Sequence, residues 1–394
     1  MDETGDRYVV SLHLGTDLTD SDAAACSAIL AEGGAVNVKS AAAELPKARL
    51  VATVRRGNMI VGVGAIKRER PDYASEKARL SGFDFHTNTP ELGYVAVLHE
   101  HRNRGLSGRI VEALTAEYAG RLFATTDNEF MKKTLAGARF AQRGASWEGQ
   151  RGQLSLWIRD SRAEVIDSLG AEIRDRIAAF RAKLPVLVDG FAISAESKLP
   201  FKVIWYREAL FWRMTELSST AYESIEHDLL ASGILVTRGA VETAAAIWYL
   251  CGKLEAATDS GSIGSVDADL MSLLMGSRSN PDLQKATNVL TFVDHLDKEV
   301  EGFREQYDEL SEFAHPNWSG TTLLYSKPEP QNLCARLGAN IRSSEVSKLT
   351  ALVNLNVALL IFERSYDRIA KVLPSFVSLC ESRVSAPNSG NITP

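Results

Sequence analysis

The stretch from Glu91 to Gly108 constrains the fold of this chain more than any other. Its first part, Leu92 to Leu98, is rich in β-branched and aromatic residues and reads as a strand. Arg102-Asn103-Arg104-Gly105-Leu106-Ser107 follows as a tight basic turn, and apolar residues at Ile110, Val111, Leu114 and Tyr118 predict a helix over 106–118. A strand delivered so directly into a helix needs a sheet for the one and a sheet face for the other. The turn also favours an anion. Unpaired N–H groups at a helix start, backed by the helix dipole, attract phosphate. Gly105 lets the backbone approach a ligand without a Cβ in the way, and Arg102 and Arg104 add positive charge. A pyrophosphate is the natural guest.

The surrounding pattern extends this unit in both directions. Tyr8–Leu14 alternates as a strand, and Asp20 or Ser21 is expected to cap a helix that ends at Gly33-Gly34. Residues 39–46 read as an irregular link. Residues 49–55 and 59–67 are apolar strands joined by a hairpin at Arg56-Gly57-Asn58. Residues 68–88 are polar and suggest a short exposed element or lid, whose mixed charge and three aromatics, Tyr73, Phe83 and Phe85, choose no substrate. Further on, 122–126 reads as a strand, 128–140 as a helix, and 145–158 as the last strand material. The order β-α-β-β-β-α-β-α-β suits a mixed sheet with helices on both faces.

The turn fits the pattern R/Q-x-x-G-x-G/A with Ser107 at the last place, and Val97 stands eight residues before Gly105. With the element order, it resembles the acetyl-CoA-binding motif of the GNAT superfamily of N-acetyltransferases, over residues 5–158. The resemblance implies a slot between two splayed strands, with an acyl-pantetheine arm lying against Val95, Ala96 and Val97. It implies an amide near Val97 that polarises the thioester carbonyl. The pyrophosphate is expected on the amides of Arg102, Asn103, Arg104, Gly105, Leu106, Ser107 and Gly108. Asn128 matches an asparagine often found near the cofactor.

Transfer to an amine needs a proton acceptor. Glu91, six residues before Val97, matches the base glutamate of the superfamily's protein-lysine acetyltransferases. Strand alternation puts Glu91, Gly93, Val95 and Val97 on one face. Glu91 is the candidate base, set against a solvated charge at a strand start. The superfamily's frequent tyrosine acid, in N-x-x-A-x-x-x-Y-x-x-x-G-F, is absent: from Asn128 that register reads Met131, Leu135, Arg139 and Phe140. His99, Glu100 and His101 are expected to supply surface charge around the phosphates, and the histidines have no further ligands spaced for a metal.

At 394 residues the chain is expected to hold two domains. Its net charge of -6, with 45% hydrophobic and 24% charged residues, describes a globular chain with no basic excess that points to nucleic acid. The start, Met1 to Asp6, lacks the basic and apolar parts of a signal peptide, and no uninterrupted run of about 18 apolar residues occurs. A cytoplasmic location without membrane association is expected. The four cysteines are scattered, which argues against zinc or disulfide frameworks and for buried thiols. Cys26 has no recognisable base and is not nominated as a nucleophile.

After Ile158 the texture becomes helical, which predicts domains at 1–160 and 161–384 and a disordered tail at 385–394. Residues 165–183 form a charged amphipathic helix, and further helices are predicted near 201–231, 234–256, 266–276, 283–313 with a possible break, and 343–372. Breaks are predicted at 261–264, 277–281 and 316–338. Gly261-Ser262-Ile263-Gly264 lacks the strand and lysine of a phosphate loop and reads as a linker. Arg238 and Glu242 are four apart on one helix face. Tyr307, Ser311 and His315 recur every four residues, and Pro316 places His315 at the helix end. This Y-x-x-x-S-x-x-x-H-P stripe resembles an uncharacterised all-helical domain of bacterial proteins, itself distantly similar to HEPN bundles. The HEPN ribonuclease signature, R-x(4–6)-H, fails, because ten residues separate Arg304 from His315. The stripe is read as a polar network that sets bundle register, or as a ligand or catalytic pocket.

Two functions follow. The first is an acetyl-CoA-dependent N-acetyltransferase with direct transfer to an unidentified amine, whose helical domain chooses the acceptor, oligomerises or binds a partner. The second is an acyl-CoA-binding sensor or defence module whose helical domain binds or cleaves RNA, with His315 and Arg238 or Tyr307 as first suspects.

Overall fold

The computed structural model describes residues 7–34, 38–149, 152–329, 332–339, 341–342 and 344–385. The acidic start, residues 1–6, and residues 386–394 of the tail expected to be disordered at 385–394 lie outside the described residues. The chain divides into two compact units, Met1–Val165 and Ile166–Pro394.

The N-terminal unit runs β1 (Tyr8–His13), α1 (Asp20–Gly33), α2 (Val38–Glu44), β2 (Leu50–Arg56), β3 (Met59–Ile66), α3 (Pro71–Ser81), β4 (Leu92–Val97), α4 (Leu106–Glu117), β5 (Leu122–Thr126), α5 (Glu129–Gly137), β6 (Ala141–Glu148) and β7 (Gln153–Arg159). Strands β1-β2-β3-β4 form one antiparallel sheet and β5-β7-β6 a second. Among the described residues a single parallel bridge, Glu91 to Phe123, joins them. Apolar clusters pack both faces of the first sheet. Ile110, Val111 and Leu114 of α4 meet Val54, Val61 and Leu92 on one side. Cys26, Ile29 and Leu30 of α1 meet Val51, Val63 and Tyr94 on the other.

Several local expectations change. Thr19, not Asp20 or Ser21, caps α1, its side chain accepting from the Asp22 amide at 3.1 Å. That register leaves Asp20 and Asp22 in the first turn, where the helix dipole favours them. The supposed link at 39–46 contains α2, whose alanines favour a helix and whose Ala41 is fully buried. The stretch 68–88, expected as a short exposed element or lid, contains α3, begun by Pro71 and ended by Gly82 at φ 65°. This helix packs inward, with Ala74 fully buried and Tyr73 against Phe123. The last strand material is two strands. The first, β6, is largely exposed and polar, so it carries no alternating apolar pattern.

The largest correction concerns β4. Ala65 pairs with Gly93 and Val63 with Ala96, so β4 takes three steps where β3 takes two. The bulge centres on Tyr94, whose φ of 55° is in the left-handed region. Side chains beyond it change face: Val95 and Val97 join Leu92 against α4, and Tyr94 and Ala96 turn toward α1. Glu91 and Gly93 therefore do not share a face with Val95 and Val97. A Cβ built on Gly93 would meet Lys67 and lie 3.5 Å from Glu91 Oε1, which places these groups together on the α1 side.

The second unit is mainly helical: α6 (Arg162–Ala182, which begins in the first unit), α7 (Gly190–Ile193), α8 (Lys198–Glu226), α9 (Leu230–Ser260), α10 (Val266–Met275), α11 (Val289–Asp297), α12 (Phe303–Ala314), α13 (Leu323–Tyr325) and α14 (Ser344–Ser385). It is not all-α. A hairpin of β8 (Ser326–Glu329) and β9 (Cys334–Leu337) occupies the predicted break at 316–338. The helix expected over 283–313 is two helices, the second started by Gly302 at φ 83°. Helix α14 passes its expected end at 372 and continues through Pro374. The lost hydrogen bond and ring clash cost about 3 kcal/mol, against which Phe376 and Cys380 are buried beyond it. Helices α9 and α14 are long and apolar enough to cross a bilayer by length and composition. Their buried residues, among them Ile247, Leu250, Leu355 and Phe362, pack with α8 into the unit's own core. Of the cysteines, Cys26, Cys251 and Cys380 are buried, but Cys334 on the hairpin is exposed. Burial pushes the Cys26 thiol up to about 11, away from thiolate chemistry.

Opposite the bulge, a Cβ on Gly64 would lie 2.3 Å from Ile110 Cγ2, itself fully buried. Gly64→Ala is expected to destabilise the first unit by roughly 1–3 kcal/mol through overpacking, read from the shift of its denaturant unfolding midpoint.

Candidate functional site

Helix α4 begins without a side-chain cap. Its N-cap is Gly105, held at φ 70°, and Asn103 two residues earlier is also left-handed at φ 61°. These two turns swing the chain into the helix. At this end of the helix the Arg109 amide bonds to the Gly105 carbonyl at 3.2 Å. The amides of Leu106, Ser107 and Gly108 precede it and, as at any helix start, have no intrahelical acceptor. Arg102, Asn103, Arg104 and Gly105 are all exposed. The expected anion cradle therefore has open amides and basic side chains around it.

Arg102 does more than add charge. Its Nε donates to the Val97 carbonyl at 3.1 Å, tying the loop to the end of β4. The Leu98 amide bonds back to Val61 on β3. By strand alternation, the Val97 N–H and C=O point away from β3, toward the open edge. His101 is not surface charge as expected. It is buried behind the loop, its Nδ1 2.9 Å from the Tyr8 hydroxyl. Arg104 lies over the same Tyr8 ring at 5.9 Å. His99 is exposed, and its amide donates to Glu32 at 2.6 Å.

Beyond the bridge between Glu91 and Phe123, β4 and β5 pair in different sheets. The gap opens into a cleft of about 840 Å³, lined on one side by Glu91 to Val95 and on the other by Ala124 to Asn128. Asn128 caps α5, its Oδ1 accepting from Phe130 at 2.9 Å and Met131 at 3.1 Å. That oxygen is committed to the helix, which leaves Nδ2 as its donor at the cleft. Leu135, in the tyrosine's register, is fully buried. Arg139, in the glycine's register, adopts φ 64°, the conformation glycine favours.

A charged cluster that the sequence did not announce sits on the α1 side of the cleft. Glu91 is 6% exposed and takes two cations: Lys67 Nζ at 3.0 Å and the Arg70 guanidinium, which also contacts it. Lys67 lies over the Tyr94 ring at 4.1 Å, and Arg70 over Tyr73 at 4.3 Å. Burial holds the Lys67 amine below the usual lysine range, while Glu91 pulls the other way. Burial pushes the Tyr73 hydroxyl up to about 12. Lys67 and Arg70 escaped sequence reasoning because they flank a strand end and a helix start, and only the fold turns both toward Glu91.

In the helical unit, three of the five singled-out residues meet. Tyr307 is buried, accepts from Arg238 at 2.8 Å and donates to Glu242 at 3.0 Å. Arg238 and Glu242 also pair at 3.3 Å. Ser311 instead bonds to the Tyr307 carbonyl within its own helix. His315 is exposed at the end of α12, and no hydrogen bond among the described residues joins it to the network. Among the described residues no cluster of three His, Cys, Asp or Glu is placed to hold a metal.

No family model matches the chain, and no curated protein matches it. Solved structures do. An acyl-CoA N-acyltransferase from Pseudomonas aeruginosa is 12% identical, covering 39% of this chain and 99% of its own, with a TM-score of 0.29. Escherichia coli ElaA is 11% identical, covering 39% and 100%, with a TM-score of 0.30. A GNAT-family acetyltransferase from Streptococcus agalactiae is 11% identical, covering 39% and 95%, with a TM-score of 0.31.

Glu91→Gln leaves Lys67 and Arg70 without their shared carboxylate and is expected to destabilise the first unit by roughly 2–3 kcal/mol. Tyr307→Phe removes one buried hydroxyl between Arg238 and Glu242 and is expected to cost about 1 kcal/mol. Denaturant unfolding followed with probes for each unit checks both.

Proposed function

We propose that the N-terminal unit is an acyl-CoA-dependent N-acyltransferase that uses acetyl-CoA and transfers the acyl group directly to an amine. One observation carries this reading: β4 and β5 touch at a single bridge and then part, and the β4 edge so exposed leads into an uncapped, arginine-flanked helix start. The slot suits an extended thioester arm, which can hydrogen-bond to a free strand edge. The helix start suits its pyrophosphate. The Val97 N–H at the open edge is the donor for the thioester carbonyl. The order of β1 to β5 with α1, α4 and α5, and the parting of β4 from β5, support this reading.

Glu91 lies on the opposite face from Val95 and Val97, at the acceptor side of the cleft. With two cations on its carboxylate, it serves first as their electrostatic partner. In the helical unit, the Arg238–Tyr307–Glu242 network supports a role in fixing register between α9 and α12.

Gly105→Glu places a carboxylate at the helix start and strains its left-handed N-cap. Calorimetry is expected to show acetyl-CoA binding by the native chain and its loss, by at least about tenfold in affinity, in this variant with an unchanged circular dichroism spectrum. Binding that survives the substitution overturns the cofactor assignment. Thiol release in the presence of an amine panel then tests turnover; binding without turnover on any amine favours a sensor.

A further inference from the structure

Lys67 follows β3 directly and lines the same cleft, its side chain 13% exposed. Its Nζ lies 3.0 Å from Glu91 Oε2 and 4.1 Å from the centroid of Tyr94, the bulge residue. A Cβ on Gly93 would sit 2.9 Å from that nitrogen, so the amine lies directly over the start of the β4 bulge. The edge expected to hold an acyl arm, Val95 to Val97, begins two residues farther along.

The charges around this amine do not balance. Lys67 and Arg70 share one carboxylate, Glu91, and of the two cations the lysine is buried while the arginine reaches solvent. Arginine stays protonated in proteins, so the group able to restore balance by losing a proton is Lys67. Desolvation acts in the same direction. A neutral lysine amine is a nucleophile.

We infer that Lys67 is a self-acylation site, its amine taking an acyl group from acyl-CoA bound in the cleft. The inference rests on the reading of that cleft as an acyl-CoA site. The ammonium proton passes by way of Glu91 to water in the open cleft, which leaves Glu91 ionised, and the freed lone pair of Nζ attacks the thioester carbonyl carbon. The N–C bond forms and the C–S bond breaks. The sulfur leaves with the electron pair and is protonated by the proton that Nζ sheds, giving an amide and a free thiol without oxidant or reductant. The amide is uncharged, so Glu91 is left with Arg70 alone, one carboxylate to one cation.

The full chain is incubated with acetyl-CoA and followed by intact mass and peptide mapping, with exposed Lys371 of the helical unit as internal reference and calorimetry in parallel. Lys67 is expected to acquire one acetyl group at least about tenfold faster than Lys371, as proximity requires. Excess free CoA should suppress the modification at Lys67 but not at Lys371, and Lys67→Arg should remove the fast phase. Acetyl-CoA binding with Lys67 modified no faster than Lys371 overturns the inference and leaves the acyltransferase reading standing. So does an unmodified Lys67 whose arginine variant loses transfer to an added amine, since the lysine then acts as a base. Absence of binding overturns both.

Discussion

The contact between Glu91 and Phe123 is the hinge of the N-terminal unit. It is a single parallel bridge, so β4 and β5 start side by side and then follow different partners, β4 staying with β3 and β5 with β7. A continuous ladder would have paired the β4 edge and closed the slot. The bulge at Tyr94 acts with this parting. It turns Val95 and Val97 onto α4 and leaves Glu91 on the other face.

The packing of α4 depends on the same region. Gly64 on β3 lies opposite the bulge and admits Ile110. The helix is therefore seated close to the sheet, with its uncapped start near the end of β4, and Arg102 ties that start to the Val97 carbonyl. Backbone geometry, more than any single side chain, holds the candidate site open.

Buried charge is treated differently in the two units. Around Glu91 two cations face one carboxylate, an unbalanced arrangement beside a cleft. Arg238, Tyr307 and Glu242 pair one cation with one carboxylate through a hydroxyl. Each residue of that second set is tied to the other two, and such sets rigidify a bundle and specify its register.

The strand, turn and helix of Glu91–Gly108, and the left-handed turn at Gly105, were legible because they are local: side-chain period, glycine freedom and helix-end electrostatics act within a few residues. The long helices of the second unit were legible for the same reason. What failed was also local in form but decided at a distance. The face of Glu91 was misassigned because a bulge reverses alternation and depends on how β3 pairs. Helices α2 and α3 were missed because burial of Ala41 and Ala74 stabilises what polar neighbours obscure. Strand β6 and the hairpin β8–β9 were missed because exposed strands lack an apolar rhythm. His101 was placed on the surface and is buried, since its partner Tyr8 lies far away in the chain. The sequence by itself determined the strand–turn–helix, its anion-favouring start and the change to helical texture. Only the tertiary structure decided which charges share the cleft and which face each presents, because pairing register and burial join residues that sequence periodicity cannot relate.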